Sequence, residues 1–119
     1  MLSLALLLAL APARTQSAMT ARSGTDYRAA DAAMTAQWRR TYAYMKGRDA
    51  QDHSRGGGFG YAAGLLESQR AWLAYRDREC VIEGGEFAGG SMQPMAQAQC
   101  RTRLTRERTD RLRSLMWNR

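Results

Sequence analysis

Histidine, cysteine and lysine are scarce in this sequence of 119 residues. There is one histidine, His53, and there are two cysteines, Cys80 and Cys100. A structural zinc site takes a tetrahedral set of nitrogen or sulfur ligands, which these residues do not complete, and we predict neither a metal nor another cofactor. Lys46 is the only lysine, so arginine supplies nearly all of the positive charge behind the net value of +7.

The sequence also lacks an apolar run long enough to cross a membrane. A short apolar run, Leu2 to Leu10, precedes Ala11-Pro12-Ala13, which has the A-x-A form of a cleavage site. This arrangement is typical of a secretory signal peptide. We therefore predict a signal peptide over residues 1–13 and an exported protein, periplasmic or extracellular.

No stretch alternates apolar and polar residues over the length of a strand, which argues against a β-sheet. Apolar residues instead recur at helical spacing in three segments. The first begins at Thr25 or Asp26, either of which can cap a helix, and ends near Gly47. The second and third cover about 61–84 and 94–116. These segments predict a small all-α domain of three helices over residues 25–119, preceded by a flexible leader over 14–24.

The two cysteines lie near the end of the second predicted helix and in the first turns of the third. An even number of cysteines in an exported protein indicates a disulfide. A Cys80–Cys100 bridge would join the two helices across a glycine-rich turn. For a loop of about twenty residues it contributes about 3 kcal/mol of stability. The alternative, a redox-active pair, lacks the close C-x-x-C spacing.

Polar residues interrupt the apolar faces of all three predicted helices. Asp31 lies at the margin of the first stripe, Gln69 and Arg76 lie within the second, and Arg108 lies within the third. Because a buried unpaired charge is very costly, we predict a polar network at the helix junction, in which Asp31 or Asp77 neutralises an arginine. The predicted members are Asp31, Gln69, Arg76, Asp77 and Arg108. Arginines that snorkel to the stripe edge, or one that binds a ligand, are the alternatives.

Positive charge is concentrated in the last helix. Arg103, Arg106 and Arg113 lie on its side away from the core stripe. Such a face attracts anionic lipid, wall polymer or nucleic acid, unless it is simply solvated. Because an exported protein seldom meets nucleic acid, we predict no nucleic-acid partner. No feature of the sequence indicates an oligomeric state.

No pattern of residues indicates an enzyme. His53 has no nucleophile placed by a recognisable motif, and Ser91 lacks the G-x-S-x-G context. Glu79 and Glu83 lie four residues apart on one helix face and are capable of acid–base work, but a solvated acidic face is the simpler interpretation. We therefore predict a protein without catalytic activity.

Three motifs in the second half of the chain resemble the LprI-type lysozyme-inhibitor family. They are "LLESQRAWLAYRDREC", "GGSMQPMAQAQC" and "LTRERTDRLR", in that order. A weaker resemblance extends over "AADAAMTAQWRRTYAYM" in the first predicted helix. The resemblance implies a helical, exported bacterial domain. Many relatives carry a further cysteine pair towards the amino terminus, which this sequence lacks.

Two functions are compatible with these features. The resemblance implies a lysozyme inhibitor, whose contacts we expect in the exposed connection over 83–94, since loops most often carry recognition. The residues predicted to contact the partner are Glu83, Glu86, Gly89, Gly90 and Ser91. The net charge opposes steering towards a basic lysozyme, and only the acidic patch formed by Glu79, Glu83 and Glu86 offsets it. The alternative is an envelope accessory module that binds anionic surfaces, either lipid or wall polymer, through the last helix.

Overall fold

The chain forms three α-helices and one short 3-10 helix in the computed structural model, which describes residues 15–53, 56 and 58–117. Helix α1 spans Gln16–Gln51, α2 spans Tyr61–Gly84 and α3 spans Gln93–Ser114, while the 3-10 helix Gly85–Phe87 follows α2 directly. The predicted all-α fold of three helices is confirmed. No helix in the described part of the chain is both long and apolar enough to cross a membrane.

The three helices form an up-down-up arrangement. Gln16, at the start of α1, contacts Met95 in the first turn of α3, and Gln37, further along α1, contacts Met116 just after the end of α3, so the two helices run parallel. Helix α2 runs antiparallel to both and packs against both. Short connections therefore suffice on either side of α2.

Helix α1 begins earlier than the sequence predicts. The hydroxyl of Thr15 accepts a hydrogen bond from the Ala18 N–H at 3.1 Å and caps the helix there. Thr25 is not a cap, because its hydroxyl donates back to the Ala21 carbonyl at 3.1 Å within the helix. The predicted helix start at Thr25 or Asp26 is therefore wrong, and residues 16–24 of the predicted leader are helical. The predicted signal peptide, residues 1–13, lies outside the described residues.

Helix α1 also continues past Gly47, and this extension supplies a cap for α2. The carboxylate of Asp49 accepts the backbone N–H groups of Gly60 and Tyr61 on Oδ1, at 3.1 and 2.9 Å, and that of Ala62 on Oδ2, at 3.0 Å. The hydrogen bond from Ala62, followed by the other two, lowers the pKa of Asp49. Gly60 has no side chain with which to cap its own helix, so Asp49 satisfies the free N–H groups instead.

Polar side chains make up a large part of the buried core. The buried apolar residues are Ala30, Met34, Met45, Ala62, Leu65, Cys80, Met95, Cys100 and Leu112. The buried polar or charged residues are Ser23, Gln37, Thr41, Gln69, Arg76, Thr102, Thr105, Arg108 and Thr109. Within the described ranges, no buried side-chain nitrogen or oxygen lacks a hydrogen-bond partner. The fold therefore depends on satisfied polar contacts as well as on apolar burial.

The predicted disulfide joins α2 to α3. Cys80 and Cys100 are both fully buried, and their Cα atoms are 5.4 Å apart. Next to the bridge the helices approach so closely that a Cβ atom on Gly84 would lie 2.5 Å from Cγ of Gln97. Glycine at this position permits the approach, and the bridge fixes it.

Candidate functional site

Arg76 lies at the centre of a polar layer between the three helices. Its side chain is 7% exposed. Nη1 donates to Oδ1 of Asp31 on α1 at 3.3 Å and to the hydroxyl of Thr105 on α3 at 3.4 Å. Nε donates to Oδ1 of the adjacent Asp77 at 3.0 Å. Acceptors on all three helices therefore hold one planar guanidinium, whose fixed fork of donors suits such a set.

Two aromatic rings flank this guanidinium. The Arg76 Cζ atom lies 5.4 Å from the ring centroid of Tyr27 on α1 and 5.3 Å from that of Trp72 on α2. Trp72 also lies beside Arg108, whose Cζ is 5.8 Å from the ring. These distances are within the range of cation–π attraction. Burial raises the pKa of Tyr27, so its hydroxyl stays protonated at neutral pH.

Arg108 belongs to a second, neighbouring group of polar contacts. Nε donates to Oε1 of Gln69 at 2.9 Å, and Nη2 donates to the hydroxyl of Ser68 at 3.2 Å. No carboxylate pairs with Arg108 in the described part of the chain, and burial lowers the pKa of its guanidinium. The five residues predicted to form one network thus lie in two groups, which share the ring of Trp72.

The acidic and basic surfaces predicted from the sequence meet at one ion pair. Nη2 of Arg103 lies 2.9 Å from Oε1 and 2.6 Å from Oε2 of Glu83, and this interaction raises the pKa of Arg103. Arg113 is paired with Asp110 at 3.1 Å. Of the three arginines on the predicted basic face, Arg106 is the one without an ion pair to a described residue. Two of these three arginines, and Glu83 of the three glutamates in the acidic patch, are therefore paired with a described residue.

The connection between α2 and α3 forms the exposed end of a helical hairpin. We call residues 85–92 the apex. Every residue from 85 to 91 is exposed, including Glu86, Gly89, Gly90 and Ser91. The Gly90 N–H donates to the carbonyl of Phe87 at 2.9 Å, and Gly89 adopts a positive φ of 79°. The structure therefore places four of the five predicted contact residues on the apex, while Glu83 lies on the last turn of α2.

A cluster with metal-ligand chemistry lies beneath the apex. Ligand atoms of Cys80, Glu83 and Cys100 lie within 4.8 Å of one another, the one such group in the described ranges. Both sulfur atoms are joined in the disulfide, however, and zinc binds cysteine as the thiolate. In the oxidised protein this cluster offers a single carboxylate.

A groove of about 670 Å³ opens beside the polar layer. We call it the α2 groove, and its lining residues are Tyr27, Arg76, Asp77, Arg78, Val81, Ile82 and Arg101. Val81 and Ile82 are 54% and 72% exposed, although both are aliphatic. The side chain of Arg78 makes neither an ion pair nor a hydrogen bond with another described residue. The groove thus combines unpaired positive charge with uncovered apolar surface.

Sequence reasoning missed the α2 groove and the cap at Asp49. The available signal for the groove was the aliphatic pair Val81-Ile82, which follows Arg78 by three and four residues and lies off the core stripe. Residues at that spacing share a helix face. No comparable signal marked Asp49, because its partners are the N–H groups at 60–62 across an irregular loop.

Comparison with known proteins identifies the family of this fold. The profile of the family described as Lysozyme inhibitor LprI matches residues 9–112, a range that includes both cysteines, the polar layer and the apex. An uncharacterized protein of Rhizobium meliloti (strain 1021) is 41% identical over 92 residues, which cover 76% of this chain and 66% of that relative. No solved structure matches the chain significantly. The chain belongs to the LprI lysozyme-inhibitor family.

Proposed function

We propose that this protein is an exported, non-catalytic inhibitor that binds lysozyme. The observation that carries this proposal is the family match, which extends over nearly all of the helical domain, residues 9–112. The resemblance of the motifs around both cysteines supports the same partner. An inhibitor needs no reactive group of its own, since occupying the cleft of the enzyme excludes the substrate.

The apex is the surface that we propose for the contact. The Cys80–Cys100 bridge closes the chain around it and thereby limits its conformations before binding. A segment that is already ordered loses less conformational entropy when it binds. The apex also presents Phe87, an exposed aromatic ring of the kind that often anchors protein interfaces. A narrow turn at the end of a hairpin suits the cleft of a glycosidase, where two carboxylates flank the scissile bond.

The distribution of charge favours the apex over the basic face of α3. Ion pairs with Glu83 and Asp110 compensate Arg103 and Arg113, which weakens the attraction of this face for anionic lipid or wall polymer. Glu83 is likewise engaged, so Glu86 is the acidic group at the apex without an ion pair to a described residue. The anionic-surface function therefore has less support than the inhibitor function.

A cell-wall lysis assay tests the proposal. The purified, oxidised protein is titrated against several lysozyme types, and we expect slower lysis with at least one of them. Replacement of both Glu86→Gln and Phe87→Ala should weaken inhibition, whereas Arg106→Gln, a charge change on exposed α3, should leave it unchanged. Absence of inhibition by the unmodified protein would contradict the proposal. Binding to anionic vesicles that weakens steeply with salt and requires Arg106 would support the alternative instead.

A further inference from the structure

We propose that the α2 groove binds an anionic amphiphile, a single alkyl chain that ends in a carboxylate or a phosphate. This site lies along α2, between Tyr27 of α1 and Arg101 of α3, and is separate from the lysozyme contact proposed for the apex. The proposal does not depend on lysozyme inhibition.

Several donors that line the groove lack a hydrogen-bond acceptor in the described structure. Arg78 has no described ion-pair or hydrogen-bond partner, and no described residue hydrogen-bonds to the Tyr27 hydroxyl. Nε of Arg101 lies 3.8 Å from Oδ1 of Asp77, beyond hydrogen-bond distance, and the same oxygen already accepts from Arg76 at 3.0 Å. An anionic head group would supply the missing acceptors, since arginine pairs strongly with carboxylates and phosphates.

Aliphatic surface continues from these donors along the same helix face. Val81 and Ile82 follow Arg78 by one helical turn, and both are lining residues of the groove. Ile82 is the most exposed large hydrophobic residue in the described structure, and about half of Val81 is exposed. An inorganic anion would leave both side chains in water, whereas an alkyl chain attached to the anion would cover them.

The size of the groove favours a small amphiphile over a protein segment. The groove is open to solvent along its length, so a ligand in it is covered on one side only. Seven residues line it, whereas each side of a stable protein–protein interface contributes about 20–30 residues. Arg76 is held by Asp31, Asp77 and Thr105, so it contributes positive potential and rigidity rather than a free donor.

Calorimetric titration of the full-length oxidised protein tests the site, with every amphiphile kept below its micelle concentration. We expect dodecanoate and dodecyl phosphate to bind, and the relative strength of the two identifies the preferred head group. Dodecyl maltoside, which has a neutral head, and acetate, which has no chain, should not bind. From octanoate to dodecanoate the affinity should rise about twofold per added methylene, because an open groove buries each methylene in part.

Three single variants locate the binding. Arg78→Gln should weaken dodecanoate about tenfold through loss of a charge-assisted contact. Ile82→Ser should reduce the dependence on chain length. Arg106→Gln removes the same charge from exposed α3 and should leave the affinity unchanged. Equal affinity in all three variants, or binding of dodecyl maltoside, would overturn the proposal. The proposal would also be overturned if neither dodecanoate nor dodecyl phosphate bound the unmodified protein. Impaired lysozyme inhibition by the Arg78 and Ile82 variants would then identify the groove as a protein contact.

Discussion

At the scale of single residues, Arg76 shows how a charge is accommodated in a small helical core. Its guanidinium donates to Asp31, Asp77 and Thr105, which come from three different helices, and it lies between two aromatic rings. The carboxylates of Asp31 and Asp77 remain about half exposed, so water still solvates them and their desolvation penalty is small. A lysine would provide a point charge without the planar fork that reaches all three acceptors.

Replacing Arg76 with alanine should destabilise the domain. We expect the free energy of unfolding to fall by about 2–3 kcal/mol. This loss is at or below the lower end of the range for breaking a fully buried ion pair, because water can solvate Asp31 and Asp77 once the guanidinium is gone. Arg78→Ala, two positions away and without a described partner, should change stability by less than about 0.5 kcal/mol. Urea unfolding at neutral pH measures both. Equal midpoints for the two variants would show that the polar layer contributes nothing to stability.

The carboxylate of Asp49 should make stability depend on pH in the acid range. Hydrogen bonds from the backbone N–H groups of residues 60–62 lower the pKa of Asp49 in the folded protein. Its contribution to the free energy of unfolding is therefore complete above the unfolded-state pKa of about 3.9 and is lost as the pH falls through the lower folded-state pKa. Asp49→Asn should therefore destabilise the protein at pH 7, because an amide has only one acceptor oxygen, and the deficit should narrow towards pH 3. The matched control is Asp26→Asn, because Asp26 is exposed and its side chain makes no hydrogen bond to a described residue. Thermal melts at both pH values provide the comparison. A deficit for Asp49→Asn that is the same at both pH values would exclude the charged cap.

At the scale of helices, the sequence predicts α2 and α3 well and the start of α1 poorly. The bounds predicted for α2, 61–84, are those observed, because its apolar stripe repeats regularly and glycines lie at both ends. Residues 16–24 carry no such stripe, and the buried residue in this part of α1 is Ser23 rather than a large apolar residue. A cap signal at Thr25 was misleading because hydroxyl groups also bond to carbonyls within a helix.

Two glycines of α2 should respond in opposite ways to alanine. A Cβ atom on Gly64 would meet nothing within 4 Å, so Gly64→Ala should stabilise the protein by about 0.5–1 kcal/mol through higher helix propensity. Gly84→Ala gains the same propensity but forces Cβ to within 2.5 Å of Cγ of Gln97 beside the disulfide. We expect a net loss of about 1 kcal/mol. Thermal melts of both variants measure these changes in stability. A rise in Tm for both would mean that α2 and α3 are not closely packed at Gly84.

At the scale of the whole molecule, the sequence predicts which polar residues face the core, but it does not predict which of the charged residues form ion pairs. The stripe positions of Arg76 and Arg108 follow from helical periodicity. The pairing of Glu83 with Arg103, by contrast, depends on how α2 and α3 cross, which no local pattern specifies. The α2 groove has the same origin, because it exists only where α1, α2 and α3 bring Tyr27, Arg78 and Arg101 together.

The disulfide should determine both the stability of the domain and the shape of the apex. Few large apolar side chains are fully buried, so a contribution of about 3 kcal/mol from the bridge is a large share of the total stability. Replacing both Cys80 and Cys100 with serine should lower the free energy of unfolding by about 2–5 kcal/mol, and the reduced wild-type protein should behave similarly. The native mass should be lower than the reduced mass by two hydrogens, and two alkylatable thiols in the native protein would contradict the bridge.

Because the bridge closes the chain on either side of the apex, the serine variant should also inhibit lysozyme less, even at temperatures where its helices remain folded. Circular dichroism and the lysis assay on the same sample separate these effects, and full inhibition by a folded serine variant would show that binding does not need a preformed apex.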